Sequence, residues 1–241
     1  MTAPSHSSSP GRLDGSLIRH LPPFSKLVPE QIREVLDHAT TKLVAQDQIV
    51  FAESDRAEHF FLLLDGYIRA VRLTESGEQV TALHIPPGQL FGIARALGKE
   101  FYPATAIAAS ECVILSWKMA LWDDFALKFE GFTTETYRTV GNRVVELNNR
   151  LVELATLHVE QRVANVLLRL VNQAGRETKE GIEIDFPISR QDIAEIAGTT
   201  LHTVSRLLSG WKKSGIVQSS RKRIVLSKPH ELVEISNAGT E

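Results

Sequence analysis

The chain has 241 residues, 43% hydrophobic and 23% charged, with a formal net charge of −2, the balance of a globular protein long enough for two cores. No apolar run approaches the ~20 residues that a membrane-crossing helix needs. One cysteine, Cys112, excludes an intramolecular disulfide, a cysteine-rich zinc site and a cysteine-ligated iron–sulfur cluster within one chain.

The opening run MTAPSHSSSPGRLDGS has no apolar signal-peptide core, and residues 1–19 read as a disordered tail of a cytoplasmic protein. Leu21–Phe24 is a lead-in turn. Pro29–His38 predicts a short amphipathic helix with Ile32, Val35 and Leu36 on one face. From Leu43 to Trp117 short β-rich runs (KLVAQDQIVF, HFFLLLDGYIRAVRL, VTALHI, TAIAA, CVILSW) alternate with turn residues such as Asp65-Gly66 and Pro86-Pro87-Gly88. That spacing suggests a β-sandwich or small barrel. Cys112, inside CVILSW, reads as a small buried hydrophobe rather than a redox sensor.

A long helix is expected over 123–158. Tyr137, Val140, Val144, Leu147, Leu151, Leu154 and His158 recur at alternating intervals of 3 and 4, an a/d seam. Packing on its own domain would explain such a stripe; a dimer seam is the preferred reading, because a two-fold protein matches a two-fold DNA site. His158 closes the seam, as a cap or a hinge. Glu160–Ala174 predicts another amphipathic helix with Val163, Val166, Leu167 and Leu170 buried. Gly175–Glu183 reads as a polar hairpin loop, and the last dozen residues carry no clear signal.

Between these lies SRQDIAEIAGTTLHTVSRLL, Ser189 to Leu208. Ser189 and Asp192 make a capping-box-like start, and Gly198 supplies a turn that tolerates positive φ. Thr199 or Thr200 caps a second helix with Leu201, Val204, Leu207 and Leu208 as its buried positions. His202, Thr203, Ser205 and Arg206 then point outward, which suits the major groove. An ordinary helical hairpin would show the same pattern. The segment after the second helix favours DNA: two short strands flank a basic tip, Ser219-Ser220-Arg221-Lys222-Arg223, as in a winged helix-turn-helix. From Phe186 to Lys228 there are eight Lys or Arg against two acidic residues.

The order of parts resembles the Crp/Fnr superfamily of bacterial transcription regulators. The motifs that carry the resemblance are SRQDIAEIAGTTLHTVSRLL, FFLLLDGYIRAV and PPGQLFG, and it covers roughly residues 20–228. It implies an α+β architecture: an N-terminal β-roll (jelly-roll) sensor domain of cyclic-nucleotide-binding type over 20–122, a dimerisation helix over 123–158 and a DNA-binding domain over 159–241. Base-reading positions would fall on Leu201, His202, Ser205 and Arg206. Thr200, Thr203, Ser189, Arg190 and Gln191, with the wing residues Arg221, Lys222 and Arg223, would touch the backbone. The run from His202 to Arg206 is similar to the NnrR type, the nitric-oxide-responsive regulators of denitrification genes. That likeness implies a homodimeric activator on double-stranded DNA, a TTG-type inverted repeat as operator, and RNA polymerase as partner.

In the cyclic-AMP-responsive members a Glu follows the Phe-Gly of the roll, and an Arg-Ser pair grips the phosphate. Here Ile93 stands at the Glu position and Pro103 and Ala104 at or near the pair, so cyclic AMP is not the expected effector. Nor is an iron–sulfur cluster. Haem in the roll or against the dimer helix is one expectation, with His20, His38, His59, His84 and His158 as candidate ligands, none with a motif around it. An activator with no bound effector is another. A third is a small organic effector inside the roll between Phe60–Leu64 and Ile107–Leu115, runs more simply read as core. A cupin-like enzyme is a remote alternative: only His84 lies on a predicted central strand, and no HxH partner or catalytic constellation accompanies it.

Overall fold

The computed structural model describes residues 15–74, 77 and 79–238. After α1 (Pro29–Asp37) come β1 (Thr40–Val44), β2 (Ile49–Phe51), β3 (His59–Asp65), β4 (Ile68–Leu73), β5 (Gln79–Ile85), β6 (Leu90–Phe91), β7 (Thr105–Ala108) and β8 (Cys112–Lys118). They form two four-stranded antiparallel sheets, ordered β1-β8-β3-β6 and β2-β7-β4-β5. The unbroken apolar run of β3 has a direct cause. Phe61 and Leu63 pack between the sheets with Ile68, Ile85, Phe91 and Ile114, while Phe60 and Leu62 face the helices with Leu115, Trp117 and Phe132. A strand covered on both faces loses the usual alternation. Gly66 makes the β3–β4 turn at φ +83°, where a Cβ would stand 2.2 Å from Glu111 O.

The expected tail extends to residue 19. Instead Gly15–Leu17 form a 3-10 turn and Ile18 is buried beside Phe24 and Ile32; residues 1–14 lie outside the described residues. The candidate core between Phe60–Leu64 and Ile107–Leu115 is packed side chain on side chain. Cys112 is buried there with Sγ 3.3 Å from Tyr67 O, and burial pushes its thiol pKa up. His84 sits on β5, a sheet edge, whereas His59 opens the central β3, the reverse of the sequence expectation.

The expected helix over 123–158 is two helices. α2 (Trp122–Lys128) and α3 (Glu130–Thr156) are separated by Phe129 at φ −121°, ψ 81°. Phe125, Phe129 and Phe132 are all buried against the roll, and seating Phe129 there outweighs helix continuity. His158 is not in the seam. It is an exposed link whose backbone N–H donates to Gln161 Oε1 at 2.9 Å, starting α4 (Val159–Ala174).

Beyond α4 come β9 (Gly175–Thr178), β10 (Gly181–Ile184), α5 (Arg190–Ala197), α6 (Leu201–Lys213), β11 (Val217–Ser220), β12 (Arg223–Leu226) and α7 (Pro229–Asn237). The polar loop is thus a hairpin of real strands, and β10 joins the wing in a sheet ordered β11-β12-β10-β9. The segment Pro229–Asn237, silent in sequence, is a helix. Leu232 is buried in the core around α4, and Gln161 Nε2 donates to Ser236 O and Ala238 O. Among the described residues no helix is long and apolar enough to cross a membrane.

Candidate nucleic-acid interface

The helix-turn-helix is fixed by local polar groups before its core packs. Ser189 Oγ accepts from Asp192 N at 3.1 Å, and Asp192 Oδ2 accepts from Ser189 N at 2.8 Å. Two of the orphan donors at the start of α5, Ser189 N and Asp192 N, are thereby satisfied. Gly198 ends α5 in the left-handed region, φ 60° and ψ 50°. Thr200 caps α6, its Oγ1 accepting from Thr203 N at 3.2 Å. Sequence reading missed Arg162. Its guanidinium donates to Ala197 O at 2.9 Å, Gly198 O at 3.2 Å and Leu157 O at 2.9 Å, covering the carbonyl end of α5.

Val204, Leu207, Leu208 and Trp211 form the buried face of α6. Leu201, expected inside, is 47% exposed, because it is the first helical residue after the cap and stands clear of α5. Leu201, His202 and Arg206 are exposed and Thr203 and Ser205 half-buried. The side chains of His202 and Arg206 have no protein partner among the described residues.

The other candidates are more engaged. Arg190 donates to Ser219 Oγ at 3.3 Å and Gln191 to Glu195 Oε1 at 3.0 Å, while Ser189 Oγ donates to Asp192 Oδ2. The strands run further than the sequence suggested, leaving Arg221-Lys222 as the wing tip, with Lys222 at φ 60°. Arg221 is exposed and without a protein partner among the described residues. Lys222 reaches Asp47 of the roll at 3.9 Å. Arg223 is held by Glu183 at 2.9 Å and Glu180 at 3.3 Å, and that partnership lowers the Glu183 pKa.

The DNA-binding half docks on the roll of the same chain through α5. Glu195 Oε2 accepts from Thr81 N at 2.9 Å, and Asp192 Oδ1 lies 3.5 Å from Arg69 Nη1. Arg150 of α3 donates to Ala82 O at 2.7 Å and Ile196 O at 3.0 Å. Tyr67 stacks on Phe186 with centroids 4.2 Å apart, and His84 lies 5.5 Å from the same ring. Burial lowers the His84 pKa to about 4; Arg69 and Arg150 push the same way, Asp192 and Glu195 against it.

On α3, Tyr137 and Leu151 are each 65% exposed, and Val144, Leu147 and Leu154 are exposed as well; Val140 is partly buried against the roll. Such a stripe on one helix is unusual for a surface left bare. Between this helix and the roll lies an apolar cavity of about 250 Å³ whose lining includes Phe91, Ile93, Pro103, Ala104, Val144 and Leu147. The positions of the nucleotide cassette therefore do surround a cavity, and they present no cation or hydroxyl to it. The lining holds no histidine, cysteine, methionine or tyrosine, so these residues do not fit a haem there. Of the candidate ligands, His20, His38 and His158 are exposed, His59 lies by Lys118 and Glu58, and His84 is in the docking contact. Among the described residues no three His, Cys, Asp or Glu side chains gather where they could hold a metal ion.

Residues 41–128 match the cyclic nucleotide-binding domain family, and residues 161–235 match the Crp-like helix-turn-helix domain family. The fumarate and nitrate reduction regulatory protein of Vibrio cholerae is 25% identical over 213 residues, 88% of this chain and 84% of that protein. The global nitrogen regulator of Synechococcus elongatus is 27% identical over 184 residues, 75% of this chain and 82% of that protein. The structure of FixK2 from Bradyrhizobium japonicum shares the fold, with a TM-score of 0.72 at 23% identity, covering 84% of this chain and 99% of that one. The chain belongs to the Crp/Fnr family of transcription regulators, with a cyclic-nucleotide-binding-type roll joined by a long helix to a DNA-binding helix-turn-helix domain.

Proposed function

We propose that the protein is a homodimeric, cytoplasmic activator of nitric oxide and denitrification genes, of the NnrR type, that binds an inverted repeat with TTG-type half-sites and works with RNA polymerase. The observation that carries the DNA contact is the outward face of α6, where Arg206 is exposed and has no protein partner among the described residues. A free guanidinium there bonds guanine O6 and N7 bidentately. His202 and Ser205 flank it for neighbouring bases. Thr200, Thr203 and Arg221 bind phosphates, and Ser189, Arg190, Gln191, Lys222 and Arg223 line the same path once released from their present partners. The exposed α3 stripe supports the two-fold dimer.

The run from His202 to Arg206 supports the NnrR type, as does similarity to relatives named for nitrate reduction and nitrogen regulation. Cyclic AMP is not the effector in this reading, because Ile93, Pro103 and Ala104 offer a phosphate nothing to bind. The test is deletion of the gene in the cell that carries it. Loss of nitric-oxide-dependent induction of nitrite and nitric oxide reductase transcripts supports the assignment; unchanged induction contradicts it.

A further inference from the structure

A run of four alternating charges crosses from the DNA-binding half to the roll and back. It leads from Lys222 at the wing tip to Asp47 in the β1–β2 loop, then to Arg69 on β4 and Asp192 on α5, with contacts of 3.9, 3.5 and 3.5 Å. The outer pair is presented by fixed backbone on both sides. Asp47 holds φ 65°, and its N–H donates to Ala108 O at 2.8 Å. Lys222 holds φ 60°, and its carbonyl accepts from Ile188 N at 3.2 Å. Exposure falls along the run: the side chains of Asp47 and Lys222 are 58% and 44% exposed, those of Arg69 and Asp192 27% and 13%. The inner pair ties the two halves of the chain together, while the outer pair stays open to solvent. Among the described residues Lys222 has no other ion pair.

We propose that Asp47 stands in for a DNA phosphate: it holds the wing-tip lysine on the roll, and the DNA backbone competes with it for the same ammonium. The proposal rests on reading the wing as a phosphate contact. A lysine ammonium is a compact point charge, and carboxylate and phosphate oxygens both serve it as charged acceptors. An exposed pair at 3.9 Å is weak and screened by salt, so a polyanion displaces it. Because the wing-tip backbone is bonded to Ile188, release needs the lysine side chain to swing and nothing more. Arg221 beside it has no such competitor among the described residues. The docked roll thus holds back one backbone contact in each protomer, and a state in which roll and wing part gains it. That contact reads no base, so the restraint weakens binding to all sequences alike.

The test is titration of the full-length protein with two labelled duplexes at one low salt concentration, one duplex carrying the TTG-type inverted repeat and the other scrambled. Asn tolerates the left-handed backbone that Asp47 adopts, and Asp47→Asn leaves Arg69 its contact with Asp192. Asp47→Asn is expected to tighten binding to both duplexes by the same factor, about two- to fivefold per protomer. The gain disappears when Lys222 is replaced by Ala, and Asp47→Gly reproduces it. No gain from Asp47→Asn overturns the proposal. So does an equal gain in the Lys222→Ala background, which would make Asp47 a source of general repulsion only. Should Asp47→Asn not fold, Asp47→Gly in the same two backgrounds decides it. Protein that binds DNA without the gain refutes this proposal alone, whereas wild type that binds neither duplex refutes the regulator reading.

Discussion

Glu195, on the first helix of the helix-turn-helix, accepts a hydrogen bond at 2.9 Å from the backbone N–H of Thr81, on an edge strand of the roll. Thr81 is buried by this contact, so its amide reports whether the two halves of the chain are docked. A hydrogen bond to a charged acceptor is worth about 1.5–3 kcal/mol. Glu195→Ala is therefore expected to lower hydrogen-exchange protection at Thr81 by roughly tenfold or more while leaving the amides of β3 and β8 as slow as before. Unchanged protection at Thr81 would show that Glu195 does not hold the docked arrangement.

The same contact is sensitive to pH. His84 faces Asp192 and Glu195 of α5, Arg69 of β4 and Arg150 of α3, and in the docked chain its pKa falls from 6.5 to about 4. The docked state therefore binds its proton more weakly than a solvated histidine does. Docking is at full strength above about pH 6.5 and weakens as the pH falls toward 4, by at most about 3 kcal/mol. Protection at Thr81 measured between those limits should fall with acid, and His84→Gln should flatten the curve across that window. An equal loss in the variant would assign the effect to the carboxylates instead.

The wing residues Arg221 and Arg223 are neighbours in sequence separated only by Lys222, yet they differ in what they touch. Arg221 is free of protein partners among the described residues, while Arg223 is clamped by Glu183 and Glu180. Arg221→Ala is expected to weaken DNA binding evenly across sequences and to reduce the salt slope of log K by about 1. Arg223→Ala should reduce that slope by less, because Arg223 must first leave Glu183 and Glu180 to reach a phosphate. If both variants change it alike, the Arg223 ion pairs give way on DNA.

Gly198 holds φ 60°, and a Cβ there would stand 2.5 Å from Leu154 Cδ2 of the long helix. The leucine end can move, but the backbone conformation still disfavours a side chain. Gly198→Ala is expected to cost about 1–2 kcal/mol, read as faster exchange of the α5 and α6 amides. No change in their exchange would mean that the turn relaxes at little cost.

The helix-turn-helix was legible because its determinants are local. Ser189, Asp192, Gly198 and Thr200 each act within a few residues of themselves, and capping and turn chemistry are readable at that range. Leu201 was misread because its apolar character suggested burial where its place beside the cap dictates exposure. The roll was legible as short strands, but the split of 42–51 between two sheets depends on Asp47 at φ 65° and on long-range pairing. The break at Phe129 was hidden because Phe125, Phe129 and Phe132 keep helical spacing, and only the roll core explains why Phe129 turns in. Strands β9 and β10 were hidden by polar composition. The docking of Glu195 on Thr81, the carbonyl clamp of Arg162 and the pairing of Lys222 with Asp47 join residues distant in sequence, and periodicity carries no trace of such pairs.

The central claim is that Arg206 reads the operator. The most direct measurement is titration of a labelled duplex carrying a TTG-type inverted repeat, and of a scrambled duplex, with wild type and Arg206→Ala across a salt series. Wild type should prefer the repeat, and Arg206→Ala should lose about 1–3 kcal/mol per half-site of that preference while keeping weak, salt-sensitive binding to both duplexes. A preference for the repeat that survives Arg206→Ala would contradict the account.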